Sequence, residues 1–538
     1  MTRRRLLILG AFVAAVIAAM GLSIRNGFAY DDIPAIAQNS RVIDPARWHT
    51  IVTSPYWLGT LWRPVTTALF AVQWRLGHGA PWLFHMVSLL GYLAVGVLLY
   101  TLMRRLAIGE VSAAAATALF LVHPIHVEVV ANGVGQSELW VALALLGATL
   151  IYLDARSRRA TTPSVVALLV VVILGMASKE QGFVVFALLL DAEWIAGPKG
   201  NPGAVVRLLV PVAAATALVF LFRTSILLSA AGEIPAAALQ GQGLVGRTMT
   251  FLGVVPEYLR LLIWPMHLQA EYGPPGIPIG GPLQLRHLAG LAIVALCVAG
   301  FVAAYRRIPA AAFGLLWTAV TLAPLSNVLV PTGIVMAERA FFLPSIGVAI
   351  TLGAILSAVA VRRAARGDRL PQVVIAVLVV WGIGCAIRST MRVPTWSSQR
   401  RFYTDLTGDG PRAYLAWKTA GVYWEGAGDD SLAIADLHHA MELWPHDYEV
   451  NERLGQYLRA DRRCDAAIPI LTAGVVLNPD APSLRAKAIE CLITARRWGD
   501  AERYARDAVQ LGQSEFTPTI ARIERLRAAA DSAAKPSP

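Results

Sequence analysis

Apolar residues in this chain come in long runs with little polar interruption. The first, Leu6 to Ser23, reads LLILGAFVAAVIAAMGLS, and comparable runs recur as far as Ile387. A helix that is apolar all round is buried in protein or in lipid, and about 20 such residues span a bilayer. The runs predict helices over about 6–24, 82–103, 110–122, 138–153, 162–177, 182–196, 206–222, 287–304, 309–323, 341–360 and 371–388, or about eleven crossings. Residues 25–80 form a long loop, in which WRPVTTALFAVQWRLG predicts a helix lying in the membrane interface. The stretch TMTFLGVVPEYLRLLIWP is apolar but interrupted by Pro256, Glu257 and Arg260. It reads as re-entrant or interfacial, because a full crossing would put the later basic loops on the wrong side.

After Arg388 the pattern changes: charges become frequent and a 34-residue period sets in. Gly421 recurs as Gly455 and Pro445 as Pro479; Ala433, Ala467 and Ala501 align, as do Leu443, Leu477 and Leu511. Trp417, Gly421, Trp424, Ala433, Leu437, Ala440 and Pro445 have the spacing of a tetratricopeptide repeat. The third unit has Ile489 and Gln513 in place of the glycine and proline, as a capping repeat can. The expected organisation is all-α: a polytopic membrane domain over 1–390, a linker over 391–412, about three repeats over 413–516, and a helical extension with a disordered tail over 517–538. Such an array offers a concave surface to a polypeptide, or serves as a buttress.

Composition agrees with this division. Of 538 residues, 56% are hydrophobic and only 15% charged, too apolar for an ordinary soluble chain. The net charge of +12 resembles a nucleic-acid footprint until it is mapped. Arg3-Arg4-Arg5, Arg104-Arg105, Arg156/Arg158/Arg159, Lys199/Arg207, Arg306-Arg307 and Arg362/Arg363/Arg366/Arg369 fall in alternate loops, as cytosolic loops should. The excess therefore reports topology and argues against nucleic-acid binding, with the N-terminus cytosolic and the repeats external. Richness in Ala, Gly and Arg points to a bacterial cytoplasmic membrane with a periplasmic array. A basic start, an apolar run and small residues near Phe28-Ala29 also fit a cleaved signal peptide, but the run is long enough to stay as a span. Four cysteines show no metal-type spacing. Cys464 and Cys491 lie in the external part, where a bridge is left open.

Polar motifs collect at the external helix ends: Asp31-Asp32, Trp62-Arg63-Pro64, HPIHVE (123–128), GQSE (135–138), SKEQG (178–182) and AERAFFLPS (337–345). Any one could simply end a helix in the headgroup layer. Six together predict one interfacial cleft, and carboxylates beside a membrane span are costly unless they serve a function. Arg63, Lys179 and Arg339 are external cations suited to a phosphate; headgroup anchoring, or pairing with Glu180 or Glu338, is the alternative. His123, His126 and Glu128 have the residue types of a divalent-metal site but lack a third well-spaced ligand, so helix termination or a hydrogen bond to substrate competes with that reading. Metal dependence is left open, and no cofactor is assigned.

The order DD, WRP, HPIHVEVVANGVGQSE, SKEQG and APLSNVLVPTGIVMAERAFFLPSIG, followed by the repeats, resembles the transmembrane and TPR repeat-containing mannosyltransferases of the GT-C superfamily. The likeness runs from Tyr30 to the tail, with HPIHVEVVAN and AERAFFLPS as its most specific parts. It implies a GT-C membrane fold, a polyprenyl-phosphate sugar donor, a hydroxyl acceptor on an external protein, and inversion at the sugar carbon. It also implies that an acidic residue of the first external loop is the base: Asp31, with Asp32 orienting the acceptor or helping to hold a cation. Arg63, His123, His126, Glu128, Glu138, Lys179, Glu180, Glu338 and Arg339 are the expected donor or substrate contacts. One departure is that relatives often read GRAE where this chain reads Gly135-Gln136-Ser137-Glu138, so a candidate phosphate-binding arginine is absent. The residues alone leave two other readings: transfer to an envelope glycan or lipid, and a non-enzymatic scaffold or transporter.

Overall fold

The computed structural model describes residues 3–56, 61–157, 160–195, 201–227, 236–369, 371–460 and 463–533. Arg158, Arg159, Lys199 and the last five residues of the expected tail lie outside that set. The chain divides into two compact units: Met1–Ala270 with Ile279–Asp405, and Glu271–Pro278 with Leu406–Pro538. Among the described residues both are helical, and no strand forms beyond one isolated bridge between Pro275 and Ala413.

In the first unit, seven described helical segments are long and apolar enough to cross a membrane: Arg3–Arg25, Pro81–Arg105, Gly133–Arg156, Pro202–Leu227, Leu285–Tyr305, Arg339–Ala364 and Gln372–Trp396. An eighth is the pair Glu110–Leu121 and Pro124–Ala131, bent by 54° at the turn containing His123. The expectation of eleven crossings exceeds this. Thr162–Ser178, Val185–Ile195 and Pro309–Leu322 have 17, 11 and 14 residues. At about 1.5 Å per residue, each falls short of the roughly 30 Å hydrocarbon layer. Two of them match the expected bounds of 162–177 and 309–323 to within one residue, so the excess comes from counting short apolar helices as crossings.

The interfacial helix of the first loop forms as Pro64–Leu76, started by a proline whose missing N–H would have no helical partner there. The apolar stretch that contains Pro256, Glu257 and Arg260 lies on one helix, Leu244–Ile263, which is not among the candidate spans. Proline cannot bond the carbonyl four residues earlier, that of Leu252, and this opening is occupied. Gly290 of Leu285–Tyr305 packs so closely there that an added Cβ would stand 1.9 Å from the Leu252 oxygen. The neighbouring Gly253 carbonyl accepts from Arg286 Nε at 2.6 Å. A second close approach joins Pro309–Leu322 to Phe342–Ala364. A Cβ on Gly314 would meet the Gly347 carbonyl at 2.5 Å, and one on Gly347 would meet that of Gly314 at 2.3 Å.

In the second unit, helices begin at Tyr414, Tyr448 and Pro482, alternating with helices that begin at Asp430, Cys464 and Trp498. Each series advances by about 34 residues, the period of the sequence pattern. The recurrent glycines are contact points: a Cβ on Gly421 would stand 2.8 Å from Leu437, and one on Gly455 would stand 2.2 Å from Leu471. Ala433, Ala467 and Ala501 are fully buried at equivalent places. Cys464 and Cys491 are buried free thiols. Glu271–Pro278 belongs to this unit although it lies between two helices of the other. Gly276 N donates to Arg412 O at 3.2 Å, and Tyr414 N to Pro274 O at 3.1 Å.

Candidate active site

The loop after the first span is fixed before it reaches its acidic pair. The buried Asn26 amide donates to Ala131 O at 3.3 Å and Val393 O at 3.2 Å. Asp31 and Asp32 then lead into a wide π-helical turn over Ile33–Ala37, and their environments diverge. Asp32 is 1% exposed; its Oδ2 accepts from Gly133 N at 3.1 Å and its Oδ1 from Val134 N at 2.7 Å. Glycine is required in that turn. A Cβ at Gly135 would lie 2.2 Å from the Val129 carbonyl, and one at Gly133 would lie 3.1 Å from Asp32 Oδ1. Burial pushes the Asp32 carboxyl up to about 7, although the amides favour its ion.

Asp31 is half-buried, and its carboxylate makes no hydrogen bond within the described residues. Burial raises its pKa. Arg339 and Arg63 act against that rise, and Glu128 adds to it. Three ion pairs involve these cations or act on them. Arg63 Nε and Nη2 donate to Glu180 Oε2 at 3.0 and 2.8 Å, with the guanidinium 5.2 Å from the Tyr56 ring centre. Arg339 grips Glu128 twice, through its backbone N–H at 2.9 Å and through Nη1. Lys179 pairs with Glu138, whose second oxygen is buried with no hydrogen-bond partner among the described residues. Burial lowers the Lys179 pKa; Glu138 opposes the change, while Arg63 and Arg339 add to it. Burial would raise the Glu180 pKa, but the charge and hydrogen bonds of Arg63 hold it low.

Asp31, Arg63, Glu128, Glu138, Lys179, Glu180 and Arg339 are thus mutually felt. Other expected site residues have different work. Glu338 Oε1 accepts the Gln269 N–H at 2.5 Å. His123 Nδ1 accepts from Ile125 N, and its Nε2 lies 3.1 Å from Leu262 O. His126 Nε2 lies 2.9 Å from Ser345 Oγ, and its Nδ1 lies 2.8 Å from Tyr92 Oη. Among the described residues, no group of three or more His, Cys, Asp or Glu gathers as metal ligands would. At the departure from GRAE, Gln136 is fully buried and exchanges amide hydrogen bonds with Gln73 at 2.8 and 2.9 Å. Gln73 and Tyr56 were not singled out from sequence, because a lone Gln or Tyr carries no pattern.

Beside Arg63 opens a groove of about 660 Å³. Its walls are apolar and include Trp48, Trp62, Val65, Ile173, Val219 and Phe222.

No family model matches the chain. It is similar to the protein O-mannosyl-transferase TMTC3 of Mus musculus, with 23% identity across 86% of this chain and 54% of the relative. The mouse TMTC4 is 23% identical across 76% and 62% of the two chains. Drosophila melanogaster Tmtc2 is 33% identical, but over only 31% of this chain. The chain spans about half the length of the first of these relatives. Among solved structures, the Archaeoglobus fulgidus oligosaccharyltransferase AglB, in complex with an inhibitory peptide and a dolichol-phosphate, aligns with a TM-score of 0.46 and 16% identity, covering 75% of this chain and 58% of that one. By sequence, the chain is similar to the TMTC-type protein O-mannosyl-transferases.

Proposed function

We propose that this protein is an integral membrane glycosyltransferase of the GT-C type. It moves a sugar, mannose in the simplest reading, from a polyprenyl-phosphate donor to a Ser or Thr hydroxyl of an external protein. In a bacterium this is the periplasmic face of the cytoplasmic membrane. The observation that carries the proposal is the contrast within the acidic pair. Asp32 is held by two backbone amides, whereas Asp31 keeps an uncommitted carboxylate within the field of Arg63, Glu128 and Arg339. The relatives' names supply the reaction class.

Asp31 takes the hydroxyl proton as the hydroxyl oxygen attacks the sugar carbon. The bond from that carbon to the phosphate oxygen breaks on the opposite face, inverting the centre, and polyprenyl phosphate leaves. Arg63, Lys179 and Arg339, each oriented by its own carboxylate, meet the developing phosphate charge. The apolar groove beside Arg63 takes the first prenyl units, which suits a donor with a charged head and a hydrocarbon tail. Glu128 and Glu138 hold cations rather than substrate in this scheme, and His123 and His126 shape the wall. The 34-residue array, read as tetratricopeptide repeats, recruits the acceptor.

The test is a glycoproteomic comparison of a deletion strain complemented with wild type or Asp31→Asn at matched membrane abundance. Wild type should restore hexose on external Ser/Thr sites, and the variant should lose it by ~10²-fold or more. Because burial raises the Asp31 pKa, the acidic limb of transfer should lie above the ordinary carboxylate range. Sugar appearing only on envelope glycans or lipids would move the acceptor to that class. Equal restoration by both would remove Asp31 as base.

A further inference from the structure

The residue before the candidate base has an unusual backbone. Tyr30 has φ of +54°, a region that L side chains other than Asn and Asp rarely enter and that costs roughly 1–2 kcal/mol. Such a conformation persists where surrounding contacts over-determine it, and they do so here. The Tyr30 N–H donates to Gln399 Oε1 at 2.7 Å. Its ring stacks on Phe402, centres 4.6 Å apart and planes 21° apart, and meets Tyr403 edge-on at 6.3 Å. Three residues earlier, Gly27 N donates to Ser397 O at 2.9 Å, and a Cβ on Gly27 would stand 3.1 Å from that oxygen. The partners all follow the last candidate span, which ends at Trp396, and Gln399 is separated from Tyr30 by 369 positions.

We propose that Tyr30, clamped by Gln399 and Phe402, is the positioning residue of Asp31. The proposal rests on the reading of Asp31 as the base. A left-handed residue reverses the local chain direction. With its φ held at +54°, the next Cα–Cβ bond is set by the segment around 397–403 and not by the loop itself. This matters because the Asp31 carboxylate has no hydrogen bond of its own to hold it, unlike that of Asp32. An acceptor hydroxyl needs that carboxylate at about 3 Å, and a displacement of ~1 Å can cost about 100-fold in rate. Tyr30 touches no substrate in this account and acts through the backbone it fixes.

The experiment measures transfer from polyprenyl-phosphate mannose to a Ser/Thr peptide in membranes, with separate kcat and donor KM and a pH profile. The variants are Tyr30→Phe, Tyr30→Gly, Gln399→Glu and Gln399→Ala, with Asp31→Asn as reference. Tyr30→Phe keeps the stacked ring and should retain more kcat than Tyr30→Gly. Tyr30→Gly admits the same φ but lets it relax, and Gln399→Ala removes the acceptor. Each should lower kcat by ~10- to 100-fold, leave donor KM within about twofold, and move the acidic limb of the profile. Gln399→Glu, which still accepts the N–H, should recover most of what Gln399→Ala loses. If Tyr30→Gly fails to accumulate, the Gln399 pair carries the test. Wild-type kcat in both Tyr30→Gly and Gln399→Ala, with Asp31→Asn dead, overturns the positioning role and leaves the base assignment standing. A loss confined to donor KM also overturns it. Wild-type protein that transfers no sugar overturns the base assignment and this proposal together.

Discussion

Two adjacent aspartates carry one sequence signal and hold two different positions. The pair, and its place after a span, were legible in the sequence. Which carboxylate is committed was not, because its partners are backbone amides about a hundred residues away. Asp32 has a consequence for stability. Its native carboxyl keeps its proton up to about 7, against 3.8 when exposed. Folding therefore takes up a proton between those values, so its contribution is full below about 4 and falls away as pH rises toward about 7. The melting temperature of detergent-solubilised Asp32→Asn should show a flatter pH dependence than wild type across that window. Below about pH 4 it should be lower, because an amide side chain cannot accept from both N–H groups and an unsatisfied donor costs about 1–3 kcal/mol, and the deficit should shrink as pH rises. The ion pairs were equally hidden. Sequence offered Glu180 or Glu338 as alternative partners for the external cations, whereas Arg339 holds Glu128, 211 positions away. Glu128 is 2% exposed, so Arg339→Gln should cost ~3–5 kcal/mol by stranding a buried charge. Glu128→Gln in the same chain should recover most of that loss, and a double-mutant cycle on thermal stability checks it.

Helices were the best-read features and their ends the worst. Every run of apolar residues became a helix, because backbone groups in an apolar medium have few other ways to be satisfied. The helix expected to begin at 182 begins at Val185, after a separate 3-10 turn over Glu180–Val184, and carries Asp191 and Glu193. Glu193 serves Arg156 at 2.7 Å and Tyr152 at 2.9 Å. The stretch that Pro256 interrupts stays one helix for a tertiary reason. Another helix brings Gly290 to the carbonyl that proline leaves open, and no local window contains both. Close backbone approach makes a further prediction. Gly347→Ala would place a methyl group 2.3 Å from the Gly314 carbonyl, so the two helices must separate. Overpacking of this kind costs ~1–3 kcal/mol, to be seen as earlier melting in detergent. Ala substitution at Gly384, where a Cβ meets nothing, should leave melting unchanged.

At the scale of the molecule, the change from apolar runs to a 34-residue period announced two units. It could not announce that the second is discontinuous, because Glu271–Pro278 has neither the period nor the charge of the array it joins. Truncation after Asp405 removes the backbone partners of Pro274 and Gly276. Limited proteolysis should then cut within 271–278 in the truncated protein and spare that stretch in the full chain, while peptide acceptor use falls. The same discontinuity sets an order of events during synthesis. Pro278 precedes Arg412 by 134 residues, so at about 5–20 residues per second the strip waits on the order of ten seconds for its partner. During that wait its unpaired N–H and C=O groups and neighbouring apolar side chains are open to chaperones and to misjoining. The array cannot reach its finished form by folding from its own stretch of chain alone. A chimera that imports residues 406–538 without Glu271–Pro278 would carry an incomplete unit, so the exchangeable module is defined by two pieces of coding sequence, not one.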